Sequence, residues 1–477
     1  LRMITSSTSL ELDEAEQLVT TQKWALGYGS QPPLYTWLQI GFFKLFGTSV
    51  LSLSILKNLL LFALYLFVYH TGRLVTGNLL GAQAAAASLL FFPEIAWQSQ
   101  IDRTHSVLAL VLVCGTLYLF LKIAEEGRTL HFALLGLCGG LGLLSKYNTS
   151  FFLIALLAAA ASIPRYRSIV LDRRMLLAAG VLLAVFLPNA LWMLRNPELA
   201  LLTSFKFKIA ESRRLVNVQG VLRMFGALLS MLAPMVLLHC LLFVRRRRKA
   251  LSWSGDERLA LLVRTAACVL LLFAVAVLLS GATNIRERWL LPALIFAPVI
   301  SVSLFRRHID RQSMSRVYAL AAAIMVVVSV GHPARVVLAE KWNRTERLNI
   351  PYRSLASQLE APLSGVGLVI TDTTPIAGNL RLNLPGKSYS PHHLAVMLAP
   401  EAERFALVWD ASRRDAPPDR VLKYLRQMGV ELPPSEVRYV SSVQRFHQTK
   451  PVRVGYALVR KQGAGWPLPQ QVQPEGM

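Results

Sequence analysis

Uncharged apolar runs recur through the first 333 residues, and they limit what this chain can fold into more than any other feature. Met175–Leu194, Met224–Val244, Trp289–Phe305 and Val317–Gly331 contain no Asp, Glu, Lys or Arg. A helix that crosses a bilayer needs about 20 predominantly apolar residues, with roughly 17 as the usual lower limit. About ten segments approach that criterion. They lie near 48–70, 78–97, 105–121, 130–145, 149–163, 175–194, 224–244, 259–281, 289–305 and 317–333. The fourth and fifth are short, and a re-entrant hairpin is an alternative for them. With 54% hydrophobic residues and a mean hydropathy of +0.44, the 477-residue chain is too apolar for an ordinary soluble protein. The expected fold is mainly α: a polytopic transmembrane helix bundle over 1–333.

The formal charge of +24 admits a nucleic-acid partner in principle. The position of the charge argues against it, because basic residues concentrate in short loops between apolar segments, as the positive-inside rule requires. With alternating sides, one set of loops holds Arg73, Lys122, Arg128, Arg165, Arg167, Arg173, Arg174, Arg245–Arg248, Lys249, Arg258, Arg306, Arg307, Arg311 and Arg316. The opposite loops hold fewer: Arg103, Lys146, Arg195, Lys206, Lys208, Arg213, Arg214, Arg223, Arg286 and Arg288. The richer set is expected to be cytoplasmic. Residues 1–47, the loops at Asp102, Lys146 and Arg286, and everything after Gly331 then share the outer face. The N-terminus falls outside with no apolar segment before it. A first transmembrane helix is therefore expected to be missing, through truncation or a misplaced start, which implies about eleven helices in all.

Composition changes after Pro333. Gly367–Ile370 and Phe405–Trp409 read as buried strands, Arg420–Met428 as a helix and Val452–Val459 as a late strand. The Pro-Pro pairs at 417–418 and 433–434 mark loops. A small α/β domain is expected over 334–461, with a disordered tail over 462–477. The four cysteines, Cys114, Cys138, Cys240 and Cys268, lie in apolar windows and read as small buried hydrophobes. They form no disulfide framework or metal spacing.

The polar residues of the outer face carry the chemical signal. Asp13 and Glu14 precede an amphipathic helix, in a loop that also bears Trp24, Tyr35 and Trp37, aromatics typical of a membrane interface. A carboxylate there suits a general base that takes a proton from an acceptor hydroxyl. The plainer reading is an acidic helix N-terminus. Asp102 stands at the outer end of an apolar segment, where an N-cap or a local pair with Arg103 is the plainer role. Glu94, inside the preceding segment, is costlier in a membrane and so more suggestive of function. His105 reads as structural. Lys146, Arg286 and Arg288 are placed to hold a lipid phosphate, Arg through its bidentate fork, or simply to reach the headgroups. Gly139–Gly142 is better explained by close helix packing than by a phosphate loop. No nucleotide fold precedes the helices, so an outer-face enzyme needs an activated donor carried by lipid.

Asp13-Glu14, Gln31-Pro32-Pro33-Leu34-Tyr35-Thr36-Trp37, Ile101-Asp102, Gly142-Leu143-Leu144-Ser145-Lys146-Tyr147 and Arg288-Trp289-Leu290-Leu291-Pro292, in that order, resemble the C-type polytopic membrane glycosyltransferases. Within them the chain is similar to the bacterial branch of the protein mannosyltransferase family, which includes lipid A aminoarabinose transferases and rhizobial lipopolysaccharide galacturonosyltransferases. The resemblance covers roughly residues 10–300. It implies a polyprenyl-phosphate-sugar donor, inversion at the anomeric carbon, and a cell-envelope acceptor: lipid A, core oligosaccharide, another glycan, a lipid or a protein. It implies Asp13 as catalytic base, Glu14 as its acidic neighbour, Asp102 as a second acidic position, and Lys146 and Arg288 as donor-phosphate contacts. The chain departs from many relatives by carrying Ser30-Gln31 where they have Asp-His, and a divalent metal stays open as a possible cofactor. The expected location is the bacterial inner membrane, with the site and the C-terminal domain on the periplasmic side. A secondary transporter, a non-catalytic scaffold and an oligosaccharide polymerase or ligase are the competing readings.

Overall fold

A computed structural model describes residues 8–201, 213–243, 256–283, 285–461 and 466–467 of the chain. Arg245–Lys249, Lys206, Lys208, Asn284 and most of the proline-rich tail lie outside these residues, as do the side chains of Arg213 and Arg214. The chain divides into two compact units. One comprises Gly29–Tyr35 and Lys57–Val327; the other comprises Leu1–Tyr28, Thr36–Leu56 and Val328–Met477. The expected boundary at Pro333 falls inside the helix Arg311–Val337.

Every expected apolar segment meets a helix among the described residues, but the helices are of three kinds. Six are long and apolar enough to cross a membrane: Val50–Thr76, Thr104–Glu126, Arg174–Arg195, Val218–Phe243, Glu257–Ser280 and Arg311–Val337. Thr129–Ser145, Thr149–Ala161 and Leu291–Leu304 are shorter. The segment near 78–97 is a pair, Leu79–Phe91 and Glu94–Ile101, bent by 71°. The break has a local cause. Pro93 supplies no N–H and forces its predecessor out of the helical region, and Phe92 is accordingly extended. Pro292 and Pro298 stand in the first turn of two successive short helices, where a missing N–H costs nothing.

The helix Thr104–Glu126 is the most deeply buried of these spans, with Val107, Val113, Cys114, Leu117 and Phe120 all in the core. Helices Thr129–Ser145 and Arg174–Arg195 approach closely. A Cβ on Gly140 would meet Val185 and the Leu182 carbonyl, which bears out the packing role expected of that glycine run. All four cysteines are free; Cys114 is fully buried and the others are half-buried.

The second unit is built on a five-stranded sheet. Its strands are β1 (Leu368–Thr371), β2 (Ser388–Pro391), β3 (Arg404–Asp410), β4 (Arg438–Gln444) and β5 (His447–Arg460). They lie in the order β2-β1-β3-β5-β4. β1, β2 and β3 are parallel, and β5 runs antiparallel to both β3 and β4. β1 and β3 are buried on both faces, as a parallel sheet covered by helices requires. Their side chains Leu368, Ile370, Phe405, Leu407 and Trp409 form a core with Val421, Tyr424 and Leu425 of the helix Asp419–Gln427.

The first residues of the chain complete this unit. Helix Leu12–Thr20 packs on helix Thr374–Asn383 so closely that a Cβ on Gly378 would collide with the Ala15 backbone. The Leu10 N–H donates to Asn379 Oδ1 (2.8 Å). The Arg381 guanidinium donates to the Leu18 carbonyl and to Thr21 Oγ1. Gln22 extends the edge of the sheet: its Nε2 donates to the Tyr389 carbonyl (2.6 Å) and its Oε1 accepts from the Tyr389 N–H (2.9 Å).

Candidate active site

In the unit that carries the sheet, Asp13 and Glu14 occupy the first turn of helix Leu12–Thr20 rather than a loop ahead of it. This corrects the sequence reading. The cause is a capping box begun by Glu11, in which the Glu14 carboxylate accepts the Glu11 N–H at 2.9 Å. Such a box satisfies donors that a helix N-terminus leaves unpaired. Glu14 is buried and committed to this cap, so the plainer reading of an acidic helix start holds for it. Glu11 also pairs with Arg335. Asp13, one residue earlier on the turn, is half-buried. Behind it Gln17 is fully buried and accepts from Thr36 Oγ1 at 3.3 Å. The aromatic loop is ordered by specific bonds: Trp24 stacks on Trp37 at 5.1 Å, and Trp37 Nε1 donates to the Ala25 carbonyl (2.8 Å). Burial lifts the Tyr28 hydroxyl to a pKa of about 12, so it stays a donor, here to the Lys23 carbonyl at 2.6 Å.

In the helical unit the broken helix sets the geometry. Asp102 follows the short helix Ser99–Ile101 in an extended conformation, and its N–H bonds the Gln98 carbonyl. Arg103 then adopts φ 87° before helix Thr104–Glu126 starts. Arg103 makes an ion pair with Glu94, Nε to Oε2 at 3.1 Å and Nη2 to Oε1 at 3.3 Å. Glu94 also interacts electrostatically with Glu287 and Arg288. Lys146 Nζ donates to Ser106 Oγ (2.9 Å). Asn148 Nδ2 reaches the Trp289 carbonyl at 3.4 Å. Tyr35 and His105 pack ring to ring at 5.3 Å, a structural role for His105. Arg286 and Arg288 are half-buried around the turn Glu287–Trp289.

Sequence reasoning missed one cation. Lys57, in the helix Val50–Thr76, is buried and its Nζ donates to the Gln100 carbonyl at 3.3 Å. The signal was present, because a lone ionisable residue well inside an otherwise apolar span marks a functional candidate by default. Lys57, Glu94, the stretch 100–106, Lys146 and Arg288 thus belong to one connected polar network. Its cations outnumber its carboxylates around the Asp102 turn, which suits an anionic group such as a phosphate. No group of three or more His, Cys, Asp or Glu side chains among the described residues has the arrangement of a metal site.

Residues 30–192 match the family described as dolichyl-phosphate-mannose-protein mannosyltransferase. The chain is 33% identical over 388 residues to the lipopolysaccharide core galacturonosyltransferase RgtB of Rhizobium johnstonii, a match covering 80% of this chain and 78% of that protein. It is 32% identical to the core galacturonosyltransferase RgtA of the same organism, over 79% of this chain and 76% of the relative. The crystal structure of ArnT from Cupriavidus metallidurans bound to undecaprenyl phosphate superposes with a TM-score of 0.56 at 14% identity, over 94% of each chain. That likeness supports the fold: a helical membrane protein with a small sheet-bearing domain.

Proposed function

We propose that this chain, which belongs to the C-type polytopic membrane glycosyltransferases of the protein-mannosyltransferase-like branch, moves a sugar from a polyprenyl-phosphate donor to a glycan of a cell-envelope glycolipid. The observation that carries the donor class is the cation-rich network around Asp102, with Lys57, Lys146 and Arg288 joined to it through named contacts. The acceptor class rests on the curated relatives, whose names give lipopolysaccharide core and lipid A as what they modify. The charge asymmetry of the loops supports a reaction at the outer face of the inner membrane.

The Asp13 carboxylate takes the proton of an acceptor hydroxyl. The hydroxyl oxygen attacks the anomeric carbon as the bond from that carbon to the phosphate oxygen breaks, and the configuration inverts. Charge that builds on the departing polyprenyl phosphate is stabilised by Lys146, Arg286 and Arg288, donors fixed before the reaction begins. Lys57 and Asp102 hold the shape of the network. Glu14 sets the helix turn that presents Asp13.

Asp13→Asn keeps the size of the side chain and removes the base. Transfer should fall by about 10²-fold or more, the usual worth of a general base, while membrane insertion is retained. The measurement is mass spectrometry of envelope glycolipids from a deletion strain complemented with each version. Glycolipid glycosylation restored at the wild-type level by Asp13→Asn would sink the assignment of the base. A deletion strain with unchanged glycolipids would sink the acceptor class.

A further inference from the structure

The helix Arg311–Val337 carries its lipid-facing side beyond its own end. Residues 328–337 of this helix belong to the sheet-bearing unit. Val330, Val337 and Leu338 are exposed and recur at the spacing of one helix face. The turns run on past the helix: the Leu338 N–H bonds the Ala334 carbonyl (2.8 Å) and the Trp342 N–H bonds the Leu338 carbonyl (3.2 Å). Trp342 is therefore one turn above Leu338, and it is 48% exposed. Charge marks where the helix leaves the hydrocarbon. Arg335 pairs with Glu11 and Glu346, and ionised groups are costly in the bilayer core. Beyond the core lies an interfacial layer about 5–8 Å deep, the layer that tryptophan favours.

The β4–β5 hairpin is tied to this exit. Asn349 Nδ2 donates to the Val336 carbonyl (2.9 Å), and the Arg445 N–H reaches the Asn349 carbonyl at 3.4 Å. Lys450 Nζ donates to Asn343 Oδ1 at 2.7 Å, next along the chain from Trp342. The turn Arg445–Phe446 is closed by the buried pair Gln444 and His447. Val443 faces away from that core and is 52% exposed. Phe446 is half-buried, with the Arg445 guanidinium 5.3 Å from its ring centroid. Lys341, Arg344, Arg445 and Lys450 are exposed around the same place. Of the carboxylates among the described residues nearby, Glu340 is exposed and Glu346 is paired with Arg335. Apolar and aromatic side chains rimmed by cations are the composition of a surface that meets anionic headgroups.

We propose that the β4–β5 hairpin is a membrane contact of the sheet-bearing unit. Val443 and Phe446 enter the interfacial layer beside Trp342, and Arg445 and Lys341 meet the phosphates of anionic lipid headgroups. Lys450 stays on Asn343 and fixes the hairpin to the end of the span. The partner is the lipid surface rather than another protein, because the hairpin is bonded to the helix end and continues its lipid-facing side. The contact gives the sheet an attachment to the bilayer besides the helix that leads into it.

The test places a nitroxide on Val443→Cys in the full-length protein, reconstituted in vesicles of phosphatidylethanolamine and phosphatidylglycerol. Wild type treated alike supplies the background of the native cysteines. Collisions with oxygen, which concentrates in lipid, are compared with collisions with a water-soluble nickel chelate. The label at position 443 should favour oxygen. A label on Leu458→Cys, equally exposed but farther along β5, should favour the chelate. Adding Arg445→Gln should lower the ratio of immersed to free label at position 443 about fivefold in these vesicles, the worth of one basic residue at an anionic surface. In phosphatidylcholine vesicles it should leave that ratio unchanged. The proposal is overturned if the label at position 443 is as open to the chelate as the label at position 458, or if Arg445→Gln acts alike in both kinds of vesicle. A label at position 443 shielded in native membranes but open to the chelate in lipid vesicles would assign the surface to a protein partner and overturn it too.

Discussion

Arg103 holds φ 87°, a conformation that costs a residue with a side chain on the order of 1–3 kcal/mol. Its forked ion pair with Glu94 offsets that cost and fixes the turn that carries Asp102. Glu94→Gln should therefore lower stability by about 1.5–3 kcal/mol, the range for a bond to a charged group. It should also reduce transfer at least about tenfold, because a displaced site residue is costly even far from the bond that breaks. Thermal unfolding in detergent and a transfer assay check both. A second expectation concerns Asp372 and His392. Burial raises the Asp372 pKa to about 6, so the fold gains stability from this group as pH falls through 6. Burial, with Arg420 adding to it, lowers the His392 pKa to about 4, so the fold loses stability from it as pH falls from the ordinary histidine range toward 4. The two trends oppose each other. Asp372→Asn removes the gain, so the variant should lose thermal stability between pH 6.5 and 4 more steeply than wild type. The charged neighbours Asp410 and Arg420 and the Tyr352 phenol are unchanged in the comparison. At this scale the sequence exposed which residue types were anomalous: an acid pair, an acid in an apolar segment, cations on one face. It did not expose their partners. Arg103 bonds Glu94, nine residues back along the chain, and nothing adjacent to Arg103 signals that.

Among elements, the chain was most legible where pattern is strong. β1, β3, β5 and helix Asp419–Gln427 were expected from apolar runs and helical spacing. β2 and β4 were not, for physical reasons. β2 reads Ser-Tyr-Ser-Pro and is held by its neighbours and by Gln22. β4 is half-exposed, with no continuous apolar face. The docking of helix Leu12–Thr20 on helix Thr374–Asn383 was also invisible, since only the close approach at Gly378 reports it. Gly378→Val forces the two helices apart. It should destabilise the sheet-bearing unit by about 1–3 kcal/mol, the cost of overpacking, and lower transfer by tilting the turn that bears Asp13. Limited proteolysis of residues 8–28 together with the transfer assay distinguishes the packing defect from a local one.

For the whole molecule, apolar length found the right regions and overstated the number of simple spans. Six helices satisfy length and composition alone, and the remaining apolar segments are short or broken. Proline accounts for two of the exceptions, and a run of apolar letters does not reveal on which side of Pro93 a helix will turn. The sheet-bearing unit draws on both ends of the sequence, and window-based reading cannot detect contacts of that range. Lys57 belongs here as well: its helix reads as a span, and only the fold shows the lysine meeting Gln100. Lys57→Met keeps the span apolar and should insert normally while transfer drops by about tenfold or more, the effect of losing a fixed donor; membrane fractionation and glycolipid mass spectrometry read the two outcomes. The hydrogen bond from Leu10 to Asn379 joins residues 369 apart. At ribosomal speeds of about 5–20 residues per second, helix Leu12–Thr20 waits on the order of tens of seconds for its partner to be made. During that interval Leu10, Ala15 and Leu18 have only the nearer half of their core, Phe43 and Leu53, to pack on, so the face of the helix that meets Gly378 stays open until that residue is made.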